Sequence, residues 1–80
     1  LAANVKEDFT VPATAKKVIF SSNGDFYCQI GSSASAAIAA ADVTAGSGSE
    51  LNTVERKVVP TETISLIAPA VCKITMAFYK

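Results

Sequence analysis

Residues 62–79, ETISLIAPAVCKITMAFY, form two apolar runs that are separated only by Pro69 and Ala70. In the second run every other residue is apolar: Cys72, Ile74, Met76 and Phe78. The residues between them are smaller or polar. This alternation with a period of two is typical of a strand with one buried face and one wet face. We therefore predict a C-terminal β-hairpin formed by residues 62–68 and 71–79.

The same pattern recurs upstream and predicts further strands over residues 5–11, 16–22, 25–30 and 51–59. Asn23 and Gly24 stand between two of them and favour a tight hairpin turn, because both residue types tolerate positive φ. Apolar residues are irregularly spaced in 51–59, which indicates a bulge or a bend. Five or six short strands with frequent turn signals predict an all-β fold, a small antiparallel β-sandwich or barrel.

Residues 31–50 differ sharply in composition, since fifteen of the twenty are Ala, Ser or Gly. A helix over 35–41 would have almost no apolar stripe with which to dock. We therefore predict an extended loop over 31–50. It is either a flexible surface loop or a segment that packs on a neighbouring subunit, and a structureless insertion of this length is uncommon unless it has a function.

Length and charge restrict the class of protein. Eighty residues make a single domain, 1–80, with residues 1–4 as an N-terminal arm. The seven basic and seven acidic side chains cancel and are scattered, which favours protein partners over nucleic acid or a membrane surface. No run reaches the ~20 apolar residues of a membrane span. For Cys28 and Cys72, two buried free thiols are favoured over a disulfide.

The residue types that enzymes need do not occur together in this sequence. It contains no His, so a Ser–His or Cys–His pair is excluded. The adjacent carboxylates Glu7 and Asp8 would point to opposite faces of a strand. Gly46-Ser-Gly48 lacks the lysine and the context of a phosphate-binding loop. We predict a protein that is not an enzyme and that holds no cofactor and no metal.

Four residues are candidates for contacts with a protein partner. In the pairs Phe26-Tyr27 and Phe78-Tyr79, alternation places the phenylalanine inside and the tyrosine outside, and exposed tyrosine is favoured in interfaces. Ile38 and Val43 are the only large apolar residues of the 31–50 loop. The candidate partner-binding residues are therefore Tyr27, Ile38, Val43 and Tyr79.

The order of segments resembles small accessory proteins of tailed bacteriophage virions. The segments that carry the resemblance are NGDFY (23–27), ADVT (41–44), GSELN (48–52), SLIAPA (65–70) and AFY (77–79). The resemblance extends from Val5 to Tyr79. It implies a β-rich protein on the capsid surface, which decorates or cements the capsid by binding between coat subunits. The implied partners are the major capsid protein or another virion protein, and further copies of the chain in a homo-oligomer, for which a trimer is expected.

A second hypothesis belongs to another functional class. In it the chain is a carbohydrate- or receptor-binding module of a phage fibre or spike, or of a secreted adhesin. The 31–50 loop and Tyr27 would then form the ligand surface. The sequence has no Trp, the side chain on which sugars commonly stack, and this weighs against the second hypothesis.

Overall fold

The computed structural model describes residues 1–44, 46 and 48–80 of the chain. In these residues it contains seven strands and no helix. The strands are β1 (Glu7–Thr10), β2 (Lys17–Ser22), β3 (Tyr27–Gly31), β4 (Glu50–Leu51), β5 (Glu55–Lys57), β6 (Thr63–Ile67) and β7 (Ile74–Tyr79). The all-β prediction is confirmed, with seven strands where five or six were predicted.

The strands form two antiparallel sheets that enclose the core between them. One sheet has the order β1-β6-β3-β4 and the other the order β5-β2-β7. Val18 and Phe20 on β2 belong to the same buried cluster as Cys28, Ile64 and Leu66 of the four-stranded sheet. Because side chains of both sheets fill one cluster, the sheets pack face to face as a small β-sandwich.

Buried and exposed side chains alternate along most of β7 and the residues just before it, as the sequence predicted. Cys72, just before the strand, is buried, and Ile74, Met76 and Phe78 are half-buried and pack against the core. Thr75, between them, is exposed. The predicted faces of the C-terminal run are therefore confirmed for Lys73 and Thr75, whereas Ala77, expected on the wet face, is half-buried.

The predicted C-terminal hairpin is wrong. Strand β6 lies between β1 and β3 in one sheet, whereas β7 pairs with β2 in the other. Residues 68–73 therefore cross from one sheet to the other. The crossing lets the apolar face of β6 and the apolar face of β7 meet across the core, whereas a hairpin would place them side by side on one sheet.

The predicted hairpin at Asn23 and Gly24 is also wrong, because β2 and β3 lie in different sheets. Neither residue has positive φ. Asn23 instead exchanges two bonds with Lys73, accepting from its N–H at Oδ1 (2.8 Å) and donating its own N–H to the carbonyl (3.2 Å). A Cβ added to Gly24 would lie 3.0 Å from the Cβ of Cys72, so this position is glycine because the backbone passes close to a neighbour.

The predicted strand 51–59 is divided in two by a bend. Strand β4 pairs with β3, and β5 pairs with β2 in the other sheet. Asn52 begins the bend with φ of 53°. Its N–H donates to the Phe26 carbonyl (2.8 Å), and its Oδ1 accepts from the Phe26 N–H (3.0 Å). The sequence indicated the bend and missed the change of sheet.

The N-terminal arm, residues 1–4, is tied to the corner between β6 and β7. The N-terminal amine of Leu1 donates to the Cys72 carbonyl (2.6 Å), and the Cys72 N–H donates to the Leu1 carbonyl (3.1 Å). Ala3 forms a parallel bridge with Ala68, and the Asn4 N–H donates to the Ala68 carbonyl (2.7 Å). The arm therefore supplies partners to the backbone where the chain leaves β6.

Candidate functional site

The outer face of the four-stranded sheet carries Tyr27, and the loop that contains Ile38 and Val43 is attached to this sheet. Ile64 and Leu66 on β6 point into the core, so Ser65 between them points outward. Ser65 is nevertheless 0% exposed. Part of the 31–50 segment covers it.

Ser65 anchors that segment through its hydroxyl. The Ala36 N–H donates to Ser65 Oγ over 2.8 Å in a buried setting, and the hydroxyl donates to Asp8 Oδ1 over 2.7 Å. Ala36 is 5% exposed and lies outside the main core cluster. The methyl side chain of alanine lets the loop backbone approach the sheet closely enough for this bond.

Three further bonds hold the segment in place. The Ser35 N–H donates to Gln29 Oε1 (2.7 Å), and Lys6 Nζ donates to Ser35 Oγ (3.2 Å). On the other side, the Ala37 N–H donates to Ser49 Oγ (3.1 Å). The extended loop is confirmed in the described residues, with bounds of 32–49 because Gly31 ends β3 and Glu50 begins β4, and it packs on its own sheet. Ala45 and Ser47 of the predicted loop lie outside the described residues.

The carboxylate of Asp8 responds to this anchor. The hydrogen bond from Ser65 lowers the pKa of Asp8 below its ordinary value of 3.8, because the bond favours the charged form. Partial burial raises the pKa and the nearby Lys6 lowers it, both by less. Lys6 Nζ lies 3.4 Å from Asp8 Oδ2. Asp8 on β1 is therefore linked to the loop through two residues. Ser65 bonds the loop at Ala36, and Lys6 bonds it at Ser35.

Ile38 and Val43 line an open depression in the loop, which we call the loop surface. It has a volume of about 530 Å³ and is lined by Ser35, residues 37–43, Gly48 and Ser49. Ile38 is half-buried and Val43 is 53% exposed. The lining is mostly aliphatic, with Asp42 as its charged residue among those described. The structure thus brings these two predicted residues together.

An apolar row that we call the outer strip crosses three strands of the four-stranded sheet. Tyr27 on β3 pairs with Leu51 on β4 and with Ile67 on β6. Leu51 is 53% exposed, and the other two are half-buried. Tyr27 lies two residues, about 7 Å along β3, from Gln29, whose side chain accepts a hydrogen bond from the loop.

Tyr79 lies elsewhere. It is 52% exposed on β7, where it pairs with Lys17 on the outer face of the three-stranded sheet. Because the two sheets face each other across the core, Tyr79 and Tyr27 lie on opposite sides of the sandwich. One partner surface therefore does not include all four predicted residues.

Sequence reasoning missed Leu51 and Ile67 in the outer strip and Ser65 as the anchor. A signal for Ser65 was present, because a single serine in an otherwise apolar strand needs a hydrogen-bond partner when it is buried. Leu51 and Ile67 depend on strand register between distant segments. No local pattern gives that register.

The two cysteines belong to the core. Both are buried and free, so the interpretation as two free thiols is confirmed. Burial raises the pKa of Cys28 to about 11. A thiol with this pKa is almost entirely protonated at neutral pH and is a poor nucleophile.

A second depression, of about 520 Å³, lies between residues 28–30 of β3 and residues 56–57 of β5 and has a polar lining. Arg56 lines it and forms a bidentate ion pair with Glu50, from Nε (2.9 Å) and from Nη2. Its charge is therefore already compensated within the chain. Lys57 and Glu62 line the same depression and form no ion pair among the described residues.

Comparisons with known proteins return no match to a family model, a curated protein or a solved structure. Within the described residues, no three side chains of His, Cys, Asp or Glu lie together as a metal ion would require. That part of the chain also contains no helix that could cross a membrane.

Proposed function

We propose that this chain is a non-enzymatic virion structural protein that decorates or cements a phage capsid by binding between coat subunits. The proposal combines the resemblance of the sequence to phage accessory proteins with the character of one face of the fold. The partner is the major capsid protein or another virion protein.

The observation that carries the proposal is the exposed apolar surface of the loop surface and the outer strip, with the loop tied to the same sheet at Gln29 and Ser65. Ile38, Val43, Tyr27 and Leu51 present apolar side chains, and the charged Asp8 and Lys6 at the loop anchor are paired with each other. Contiguous exposed apolar surface is typical of protein–protein contact sites. Tyrosine is a favoured residue at such contacts.

The anchor at Ser65 supports the same conclusion. An ordered contact surface loses less conformational entropy on binding than a free loop does. The bonds to Ser65, Gln29 and Ser49 fix the backbone of the segment before any partner arrives. A lattice of coat subunits would in turn stabilise this small domain, because a partner that binds only the folded state shifts the folding equilibrium.

Purified particles of the phage that encodes the chain test the proposal directly. Quantitative mass spectrometry should find the chain in copy numbers comparable to the coat protein, and particles that lack it should rupture at a lower temperature. Absence from particles, or unchanged rupture together with only a few copies, would contradict a cementing role.

A pair of substitutions tests the contact face. Val43→Asp places a charge on the loop surface, and we expect it to weaken binding to capsids that lack the chain by tenfold or more. Val54→Asp is the matched control, because Val54 is 67% exposed and its carbonyl accepts from Phe20 in the three-stranded sheet. Equal binding by both variants would place the contact elsewhere.

The carbohydrate-binding alternative has the depression of the loop surface as its specific support. Aliphatic groups dominate its lining, whereas sugar sites usually combine aromatic faces with convergent polar groups. Glycan-array binding that is lost in the Val43→Asp variant would favour this alternative over the capsid role.

A further inference from the structure

Strand β7 is an edge strand with no charged side chain between its flanking lysines, Lys73 and Lys80. The other edges of the two sheets carry charged residues or are very short: β1 is EDFT, β4 is EL and β5 is ERK. Strand β7, ITMAFY, has six residues and no charged side chain. Long uncharged edges are templates for strand addition.

The backbone groups on the open side of β7 are identified by its pairing with β2. Continuing the register of β2 and β7 by one residue pairs Asn23 with Lys73. The N–H and carbonyl groups of Lys73 therefore point toward β2. Backbone direction alternates along a strand, so Ile74, Met76 and Phe78 direct their N–H and carbonyl groups away from β2. Nothing in the described residues bonds to these groups.

The same three residues have side chains that the core covers incompletely. Ile74, Met76 and Phe78 pack against the buried cluster but remain half-buried. On β2, the neighbouring Val18 and Phe20 are 0% and 5% exposed. Apolar side chains are therefore less well buried at the β7 edge than on β2. One more strand there would cover these side chains and also bond the free N–H and carbonyl groups of β7.

We propose that β7 pairs antiparallel with β7 of a second copy of this chain, about a two-fold axis at Met76. Ile74 then faces Phe78 of the second copy, and Thr75 faces Ala77 of the second copy. Lys73 faces Tyr79 of the second copy. The two three-stranded sheets join into one sheet of six strands with the order β5-β2-β7-β7-β2-β5.

The sequence of β7 makes a second copy the fitting partner. In this register the bonding groups of Ile74, Met76 and Phe78 all meet bonding groups. A β-branched residue faces an aromatic ring, and a lysine faces a tyrosine ring at both ends, both of which are favourable cross-strand pairs. Moving the axis to Ala77 would instead place Lys80 against Ile74 of the other copy.

This dimer does not depend on the capsid role, because the loop surface and outer strip lie on the other sheet and stay accessible. It assigns Tyr79 to contacts between copies. It also predicts two-fold symmetry, in place of the trimer expected from the resemblance.

Sedimentation equilibrium of the full chain tests the dimer. We expect a dissociation constant on the order of micromolar, since one strand pair gives a small interface. Tyr79→Lys places lysine against Lys73 of the other copy at both ends and should weaken the dimer about tenfold. The double variant K73E/Y79K restores opposite charges and should recover the affinity of the wild type.

A backbone change tests the pairing without altering a side chain. N-methylation of Met76 in a chemically synthesised chain removes an N–H that points away from β2, so the fold remains and the dimer should be lost. N-methylation of Val71, an exposed loop residue without a backbone bond among those described, is the control and should leave the dimer intact. A wild-type chain that stays monomeric up to about 1 mM would overturn the proposal. Dimerisation that is unaffected by methylation of Met76 would overturn it as well.

Discussion

Replacing Ser65 with alanine removes the hydroxyl that joins the loop to the four-stranded sheet. The Ala36 N–H, buried in the wild type, then has no acceptor, and leaving such a group unsatisfied costs about 1–3 kcal/mol. Asp8 loses its serine donor but can turn toward water. We therefore expect the free energy of unfolding to fall by about 1–3 kcal/mol.

Chemical denaturation measures the global change, and amide hydrogen exchange locates it. Exchange at Ala36 should accelerate about five- to 150-fold, the factor that corresponds to this energy. Ser21→Ala is the matched control, because Ser21 is exposed on β2, and it should change stability by less than about 0.5 kcal/mol. A Ser65→Ala variant as stable as this control, with unchanged exchange at Ala36, would refute the anchor.

Three further outcomes follow from individual positions. Gly24→Ala should destabilise the fold by about 1–3 kcal/mol, because the new Cβ would lie too close to the Cβ of Cys72. In Gly48→Ala the new Cβ meets only the side chain of Val43, so this substitution should destabilise less. Denaturation curves of the two variants measure the difference. The pKa of Asp8, followed by carboxyl NMR, should lie below 3.8 and should rise in Ser65→Ala. The stability that this carboxylate contributes is present above pH 3.8 and is lost as pH falls through the lowered pKa. An unchanged pKa in the variant would contradict the bond. The pKa of Cys28, raised to about 11, means that stability from the neutral thiol is present below pH 9.0 and lost as pH rises toward 11; rapid alkylation of the folded chain at pH 8 would contradict this burial.

Local patterns predicted the positions of β2, β3, β6 and β7 and the buried face of β7, whereas β1, expected to bury Phe9, is exposed along its length. The alternation from Cys72 to Phe78 reappears in the structure, because one side of β7 faces the core. The composition of residues 31–50 likewise indicated a loop, since alanine and glycine cannot form an apolar stripe.

Pairing between strands was not predictable in the same way. Asn23-Gly24 and Pro69-Ala70 are valid turn signals, yet both mark crossings between sheets. Whether a turn closes a hairpin or a crossing depends on which apolar faces must meet across the core, and this is a property of the whole chain. The outer strip and the anchor at Ser65 depend on the same long-range register, which explains why sequence reasoning found Tyr27 but missed Leu51 and Ile67.

Amide hydrogen exchange of the chain, free and bound to capsids of the phage that encodes it, tests the proposed contact face most directly. Bound chains should gain protection in residues 35–43 and around Tyr27 and Leu51, with β2 unchanged. Failure to bind, or new protection confined to the outer face of the three-stranded sheet, would contradict the account.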